Sequence, residues 1–349
     1  MKSNGFVKTL LHWYANHKRD LPWRQEPLPY NIWLSEIILQ QTQVKQGLPY
    51  YERFITLFPN VWVLARSTEQ QVLKAWQGLG YYSRARNLHK AAQYICNTHK
   101  GVIPNTYAQL LKVPGIGPYT AAAIASIAFL KPHAVVDGNV IRVLARLYGI
   151  REAVNRPAGL KQVQALATQL LYKADAGTYN QAIMEFGALQ CKPQSPPCSI
   201  CPFAEHCEAH RSHTVHLIPH KIKAKPVRQR HLHVLLAGPA KGRYFMRQRT
   251  SGDVWQGLYE FVCLEHNSAT LTPAGQHASH KQVMQACGKR KLLKVYTHKL
   301  SHQTLNVKVY TVALQPEQIP GYKAYTIKQI KNLPVSQLTA QIGHDAGIF

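Results

Sequence analysis

Apolar and polar positions along the chain follow one period up to about residue 190 and another after residue 230. In the first part, apolar residues recur every three or four positions, and glycine or proline interrupts them, as in short helices joined by tight turns. The pattern predicts helices over 68–78, 83–98, 106–111, 118–130, 138–148 and 159–174. A longer helix is predicted to begin at Ser35, whose hydroxyl can cap the run IILQQTQVKQGLPYYERFITLF. Residues 1–210 are therefore predicted to form an all-α region.

The second part is predicted to contain strands. The segments HLHVLLAG, GRYFMRQR, KLLKVYTHKL and TLNVKVYTVAL alternate apolar and polar positions or are rich in β-branched residues. A helix is predicted at 279–287, between these strands, so residues 231–349 are predicted to form an α+β domain. Residues 211–230 carry six Lys or Arg and no acid, which indicates a basic linker between the two domains.

The charge of the chain indicates a polyanionic partner. Its formal net charge is +26, from 42 Lys and Arg against 16 Asp and Glu. Such a surface favours nucleic acid over an acidic membrane face. The sequence contains no run of about 20 apolar residues, which is the length needed to span a membrane. The start MKSNGFVKTLLHWY lacks the apolar core of a signal peptide. We therefore expect a soluble, cytoplasmic protein with no membrane partner.

Four of the seven cysteines form the pattern C-x6-C-x2-C-x5-C. They are Cys191, Cys198, Cys201 and Cys207. Thiolates at this density are typical of a metal site, and an odd total of cysteines argues against a disulfide framework. Ligand chemistry alone leaves both a four-thiolate zinc site and an iron–sulfur cluster open.

The stretch VPGIGPYTAAAIASIAF places Gly115 and Gly117 at the start of an apolar helix. The amphipathic segment TYAQLLKVP precedes it, so the turn joins two helices, and neither a Rossmann nor a P-loop motif applies. Backbone N–H groups at such a helix start can bind a phosphate. Twenty residues after Gly117, Asp137 precedes the helix NVIRVLARL. We expect Asp137 to cap that helix, where the helix dipole keeps a carboxylate ionised.

Together these motifs resemble a known family. A helix–hairpin–helix followed at this distance by an acid is similar to the DNA glycosylase superfamily of that name. LSEIILQQTQV, at 34–44, resembles the signature of the adenine DNA glycosylase (MutY) family. The resemblance is strong over 6–210 and weaker over 231–349, which is similar to the NUDIX-like domain with which that family recognises 8-oxoguanine. It implies a multidomain fold, in which a six-helix barrel at about 27–130 and a cluster subdomain from 1–26 and 131–210 form the helical part.

The resemblance also implies site residues. Glu36 would protonate adenine and Asp137 would stabilise the sugar cation, with Asn139 and Tyr119 as supporting polar groups. The apolar helical setting of Glu36 independently predicts a raised pKa for its carboxyl group. The residues implied in DNA binding are Gln40, Gln41, Thr42, Tyr81, Gly115, Gly117, Ser301 and His302. The cysteine spacing matches the [4Fe–4S] loop of the endonuclease III and adenine glycosylase families, so the resemblance implies that cofactor.

The fifth position of the hairpin motif predicts whether the DNA strand is cleaved after the base is removed. Bifunctional members of the superfamily carry G-x-G-x-K in the hairpin, and the lysine forms a Schiff base and cleaves the strand. Here the fifth position is Tyr119. The resemblance therefore implies a monofunctional, monomeric glycosylase that acts at the bacterial nucleoid. Its substrate would be double-stranded DNA with adenine opposite 8-oxoguanine or guanine.

The C-terminal motifs depart from the family pattern. Leu300 replaces the Phe of F-S-H, and in VWQGLYEF Gln256 and Tyr259 replace the first Gly and the Trp of G-G-L-W-E-F. No NUDIX pyrophosphatase signature follows, so this domain is predicted to recognise a base and not to hydrolyse a nucleotide. An endonuclease III-type glycosylase/lyase and a non-catalytic iron–sulfur DNA-binding protein remain as alternatives.

Overall fold

The computed structural model describes residues 3–222, 226–250, 252–266, 283, 285, 287–312 and 317–349. The chain forms two compact units. The first contains Met1–Arg66 and Lys90–Ala224, and the second contains Ser67–His89 and Lys225–Phe349. Within the described residues, no helix is long and apolar enough to cross a membrane. Most of the helix predicted at 279–287 lies outside the described residues.

Thirteen of the described α-helices precede residue 212. They are α1 (Ser3–His17), α2 (Pro22–Gln25), α3 (Pro29–Leu39), α4 (Val44–Leu57), α5 (Val61–Arg66), α6 (Glu69–Trp76), α7 (Ser83–His99), α8 (Tyr107–Leu110), α9 (Pro118–Ile127), α10 (Gly138–Tyr148), α11 (Pro157–Leu170), α12 (Ala176–Leu189) and α13 (Glu208–Arg211). The six helices predicted individually are confirmed, with ends that differ by a few residues.

The core of the first unit lies between α1, α10 and α12. Phe6 and Leu10 of α1, Leu144 of α10, and Ile183 and Phe186 of α12 belong to one buried cluster. Burial of each such side chain contributes about 1.5–3 kcal/mol to stability. This packing fixes α10, and with it the position of Asp137 at its start.

The predicted helix start at Ser35 is wrong. Ser35 is buried inside α3, and its hydroxyl donates to the carbonyl oxygen of Ile32 over 2.9 Å. A serine hydroxyl can bond to the preceding turn of its own helix as well as cap a helix start. The predicted single helix is also two helices, because α3 ends at Leu39 and the chain turns before α4 begins at Val44.

The second unit contains a six-stranded sheet followed by two helices. Besides α6 and the start of α7, its described elements are β1 (Arg228–Leu236), β2 (Arg243–Gln248), β3 (Tyr259–His266), β4 (Arg290–Lys299), β5 (Gln303–Val312), β6 (Lys323–Thr326), α14 (Ile327–Asn332) and α15 (Gln337–Asp345). The strand order is β4-β5-β1-β3-β2-β6, in which β1 and β5 are parallel and the other pairs are antiparallel.

Four of these strands confirm the sequence prediction. β3 was not predicted because residues 261–264 form a short continuous apolar run, which does not alternate and by its period alone does not distinguish a strand from a buried helix. β6 has four residues, too few to show a period. The predicted fold class, helical domain plus α+β domain, is confirmed.

Candidate active site

Glu36 lies in α3 among buried side chains. Its neighbours Leu34 and Ile37 are 0% and 4% exposed. Burial raises the pKa of the Glu36 carboxyl group to about 7. A hydrogen bond from the Tyr119 hydroxyl to Oε2, at 2.7 Å, opposes the rise, whereas the nearby Asp137 carboxylate adds to it. The structure thus gives Glu36 the raised pKa that its apolar setting predicts.

Tyr119 stands at the start of α9, directly after the glycine turn. Gly115 has a φ of +77° and Gly117 precedes the helix, so the turn takes the conformation that glycine favours. The Tyr119 hydroxyl also lies 3.6 Å from Sδ of Met184. Burial, together with the carboxylates of Glu36 and Asp137, raises the pKa of Tyr119 well above its usual value. Tyr119 therefore stays protonated and donates to Glu36.

Asp137 caps α10, as predicted. Its Oδ1 accepts from the backbone N–H groups of Asn139 and Val140 at 2.9 and 2.7 Å, and its Oδ2 accepts from Nδ2 of Asn139 at 2.7 Å. The sequence predicts a carboxylate that the helix dipole keeps ionised. In the structure burial outweighs the three hydrogen bonds and raises the pKa of Asp137 above its usual value.

Asn139 is held by an arginine that sequence reasoning missed. Nη2 of Arg142 donates to Oδ1 of Asn139 at 2.8 Å and to the carbonyl oxygen of Gly187 at 2.6 Å, and Nε donates to that of Cys191 at 2.7 Å. With Oδ1 occupied by Arg142, the amide nitrogen of Asn139 points to Asp137. A Cβ at Gly187 would lie 2.6 Å from Cβ of Asn139, so α12 packs tightly against this pair.

A second missed group surrounds Glu185, which is 1% exposed. Arg19 donates to both of its carboxylate oxygens at 2.9 and 2.6 Å, and Arg24 does so at 3.1 and 3.0 Å. Although burial alone would raise the pKa of Glu185, the two arginines lower it to about 2. Arg24 also favours the ionised form of Glu36. The arginines lie 166 and 161 residues from Glu185, so no local pattern signals the group.

The four predicted ligand cysteines line one cavity, together with Arg146 and His210. Nη1 of Arg146 lies 3.5 Å from Sγ of Cys191, and the thiol of Cys207 donates to the backbone oxygen of Arg146 at 3.5 Å. In the described part of the chain, no three Cys, His, Asp or Glu side chains converge as they would on a single ion.

Comparisons with known proteins assign the family. Residues 34–170 match the HhH-GPD superfamily of base excision DNA repair proteins, and 233–344 match the NUDIX domain. The chain is 34% identical over 303 residues to the adenine DNA glycosylase of Buchnera aphidicola subsp. Baizongia pistaciae, which covers 86% of this chain and 84% of that protein. It belongs to the adenine DNA glycosylase family. The adenine DNA glycosylase of Rattus norvegicus is 33% identical to this chain. The alignment covers 95% of this chain and 76% of the rat protein.

Solved structures show the same helical fold. A thermostable thymine-DNA glycosylase matches with a TM-score of 0.56 and 29% identity, over 60% of this chain and 97% of its own. An endonuclease III trapped covalently on DNA matches with a TM-score of 0.54 and 21% identity, over 61% of this chain and 99% of its own. The protein is therefore a DNA glycosylase of base excision repair.

The residues that the family resemblance implies in DNA binding lie in several turns. In the first unit, Nε2 of Gln40 donates to Oγ1 of Thr120 at 3.0 Å, and the hydroxyl of Thr42 donates to the Gln40 backbone oxygen at 3.3 Å. Gln41, between them, is exposed and has a φ of +53°. In the second unit, Tyr81 is 47% exposed with a φ of +48°.

Ser301 and His302 form the turn between β4 and β5. Both are exposed, and Oγ of Ser301 lies 3.3 Å from Nδ1 of His302. Their polar groups are therefore accessible to a ligand at this end of the sheet.

Proposed function

We propose that this protein is a monofunctional glycosylase that removes adenine opposite 8-oxoguanine or guanine in double-stranded DNA. The observation that carries the proposal is the 2.7 Å hydrogen bond from Tyr119 to Glu36. It joins a carboxyl group with a pKa of about 7 to a phenol at the hairpin position where a lyase would carry an amine. The name of the relatives, adenine DNA glycosylase, supports adenine as the base.

The proposed reaction begins with an adenine that has left the base stack, at a cost of a few kcal/mol. Protonated Glu36 donates its proton to N7 of adenine, so the base leaves neutral when the bond from N9 to C1′ breaks. The bonding electron pair departs with the base and leaves a cationic sugar. The Asp137 carboxylate, held by Asn139 and Val140, stabilises that cation. Water then adds to C1′ and gives a proton to the Glu36 carboxylate, which restores the acid.

Several residues are proposed to hold the DNA. The backbone of Gly115 and Gly117 would bind a phosphate, because a Cβ built on Gly117 meets no atom within 4 Å and the turn is open. Gln41 and Tyr81, exposed and with positive φ, would fill the space that the adenine leaves, with Gln40 and Thr42 positioning the turn of Gln41.

The C-terminal domain is proposed to read the opposite base. Ser301 and His302 can hydrogen-bond to 8-oxoguanine from the exposed turn that they form. The domain limits 1–210, 211–230 and 231–349, the monomeric state and the cytoplasmic location also remain predictions.

The product of the reaction tests the proposed function. We expect the purified protein to act on duplexes with adenine opposite 8-oxoguanine or guanine, but not on those with adenine opposite thymine. Strands should break only after alkali, because Tyr119 cannot form an imine. Breaks without alkali would support the endonuclease III-type lyase, and the absence of abasic sites on every duplex would support a non-catalytic DNA-binding protein.

We also propose that Cys191, Cys198, Cys201 and Cys207 bind a [4Fe–4S] cluster. The four cysteines line one cavity, and their spacing is that of a loop in which four thiolates bind a cluster. When bound, the cluster would tie residues 191–207 into one rigid loop. The loop reaches the active site through Arg142, which donates to both Cys191 and Asn139.

Metal analysis tests the cluster. Protein purified without oxygen should be yellow-brown and contain about four irons and no zinc per chain. Cys198→Ser should lose most of the iron, whereas Cys96→Ser, at a buried thiol outside the pattern, should retain it. One zinc and no iron in the wild-type protein would contradict the assignment.

A further inference from the structure

The C-terminal motif VWQGLYEF packs against helices that precede it by about 170 residues. Arg86 of α7 donates from Nη1 to the backbone oxygen of Gln256 at 2.7 Å. Gly257 has a φ of +84°, and a Cβ there would come within 3.0 Å of both Oε1 of Glu69 and Cδ1 of Leu73 in α6. The backbone of this motif therefore lies in close contact with residues 67–89, which belong to the same compact unit.

A second contact lies at the end of α14. Nζ of Lys74 donates to the backbone oxygens of Lys331 at 2.6 Å and Leu333 at 3.1 Å. Carbonyl groups at the end of a helix lack partners within that helix, so a lysine there satisfies them. The same ammonium group donates to Oε1 of Gln77 at 3.1 Å, and Oε1 also accepts from the backbone N–H of Val335 at 3.4 Å.

The Tyr82 hydroxyl makes a third contact. It donates to the backbone oxygen of Val335 at 3.3 Å and accepts from the backbone N–H of Gly78 at 3.1 Å. Tyr82 is 5% exposed, so water does not readily replace these bonds. One hydroxyl thus connects the C-terminal domain to the loop over residues 77–82.

That loop presents Tyr81. Gly78, Gly80 and Tyr81 all have positive φ, at +97°, +79° and +48°, and for a tyrosine this conformation is uncommon. A residue persists in such a conformation when its surroundings determine it. On the other side of the loop, the guanidinium group of Arg84 lies 5.5 Å from the centre of the Tyr81 ring.

We propose that the C-terminal domain positions Tyr81 for entry into the duplex, with the Tyr82 hydroxyl and Lys74 as the positioning groups. The inference rests on the proposed role of Tyr81 as a side chain that fills the space left by the adenine. The domain that contacts the opposite base and the loop that helps to extrude the adenine then form one body. When the C-terminal domain contacts the lesion, it can therefore bring Tyr81 to the base stack beside the target adenine.

Tyr82→Phe in the full-length protein tests the proposal. The variant keeps the ring and loses both hydrogen bonds of the hydroxyl. We expect single-turnover excision to slow by roughly threefold to tenfold, the range that the loss of buried hydrogen bonds typically produces. The fluorescence rise of 2-aminopurine at the target position should fall with it, because that rise reports a base leaving the stack. Lys74→Met should likewise lower the excision rate and the fluorescence rise.

Tyr322→Phe is the matched control. The Tyr322 hydroxyl likewise lies between a backbone N–H and a backbone oxygen, those of Cys263 at 3.2 and 3.4 Å, within the same unit. We expect that variant to lose a similar amount of thermal stability and to keep its excision rate. An equal loss of excision in Tyr322→Phe would overturn the proposal, since stability alone would then explain the effect of Tyr82→Phe.

A double-mutant cycle separates this inference from the proposed function. If the Tyr82 hydroxyl acts through Tyr81, Tyr82→Phe has no further effect in a Tyr81→Ala background. Additive effects would overturn the positioning role while leaving the role of Tyr81 intact. An unchanged excision rate and fluorescence in Tyr81→Ala would instead remove Tyr81 from base extrusion, and with it the basis of this inference.

Discussion

Glu36→Gln should reduce adenine excision by about 10²–10⁴-fold while duplex binding stays unchanged. Glutamine has nearly the same shape and can still accept the hydrogen bond that Tyr119 donates to Oε2. It cannot supply the proton that makes the departing adenine neutral. Single-turnover excision from a duplex with adenine opposite 8-oxoguanine measures the loss, and a binding titration with the same duplex measures affinity.

Glu52→Gln is the matched control, because it removes the same charge from an exposed position of α4 in the same unit. Its excision rate should equal that of the wild type. A Glu36→Gln rate within tenfold of wild type would remove Glu36 from the proton transfer.

The pH profile of the wild-type protein gives a second measurement of Glu36. Its carboxyl group acts in the protonated form, and burial raises its pKa to about 7. The active form therefore predominates below pH 7, and the rate should fall about tenfold per unit of pH above it. Asp137 acts as the ionised form, so protonation of Asp137 should limit the rate at the acidic end. A rate that stays constant from pH 7 to pH 9 would contradict the role of Glu36.

Tyr119→Lys should convert the protein into one that also cleaves the DNA strand. The Tyr119 hydroxyl lies 2.7 Å from Oε2 of Glu36, and burial together with the carboxylates of Glu36 and Asp137 raises its pKa. An amine at this position would therefore lie among the residues proposed to surround the sugar. An amine that reaches C1′ can form a Schiff base, whereas a phenol cannot. We expect strand breaks without alkali and a complex trapped by borohydride, both absent from the wild type.

Tyr172→Lys provides the control for added amines, because Tyr172 is 40% exposed in the same unit. It should give neither strand breaks nor a trapped complex. If Tyr119→Lys still excised adenine and gave neither product, residue 119 would not face the sugar, and the proposed arrangement of the pocket would be wrong.

The sequence by itself determined the features that depend on neighbouring residues. Asp137 caps α10 through backbone N–H groups two and three positions along the chain, so a polar residue before an apolar helical pattern was sufficient to predict it. The strand β5 shows its alternation of buried and partly buried residues within ten residues. The family likewise follows from short motifs, because the hairpin glycines, the stretch around Glu36 and the cysteine spacing are each contained in 17 consecutive residues or fewer.

The tertiary structure decided what distant residues do to one another. Ser35 has the residue type of a helix cap, yet packing of the apolar residues around it places it inside α3. The pairing of Glu185 with Arg19 and Arg24, and the attachment of residues 67–89 to the C-terminal domain, join segments more than 150 residues apart. Such contacts arise when apolar surfaces are buried and polar groups between them must find partners. No period or spacing along the chain records which partners those are.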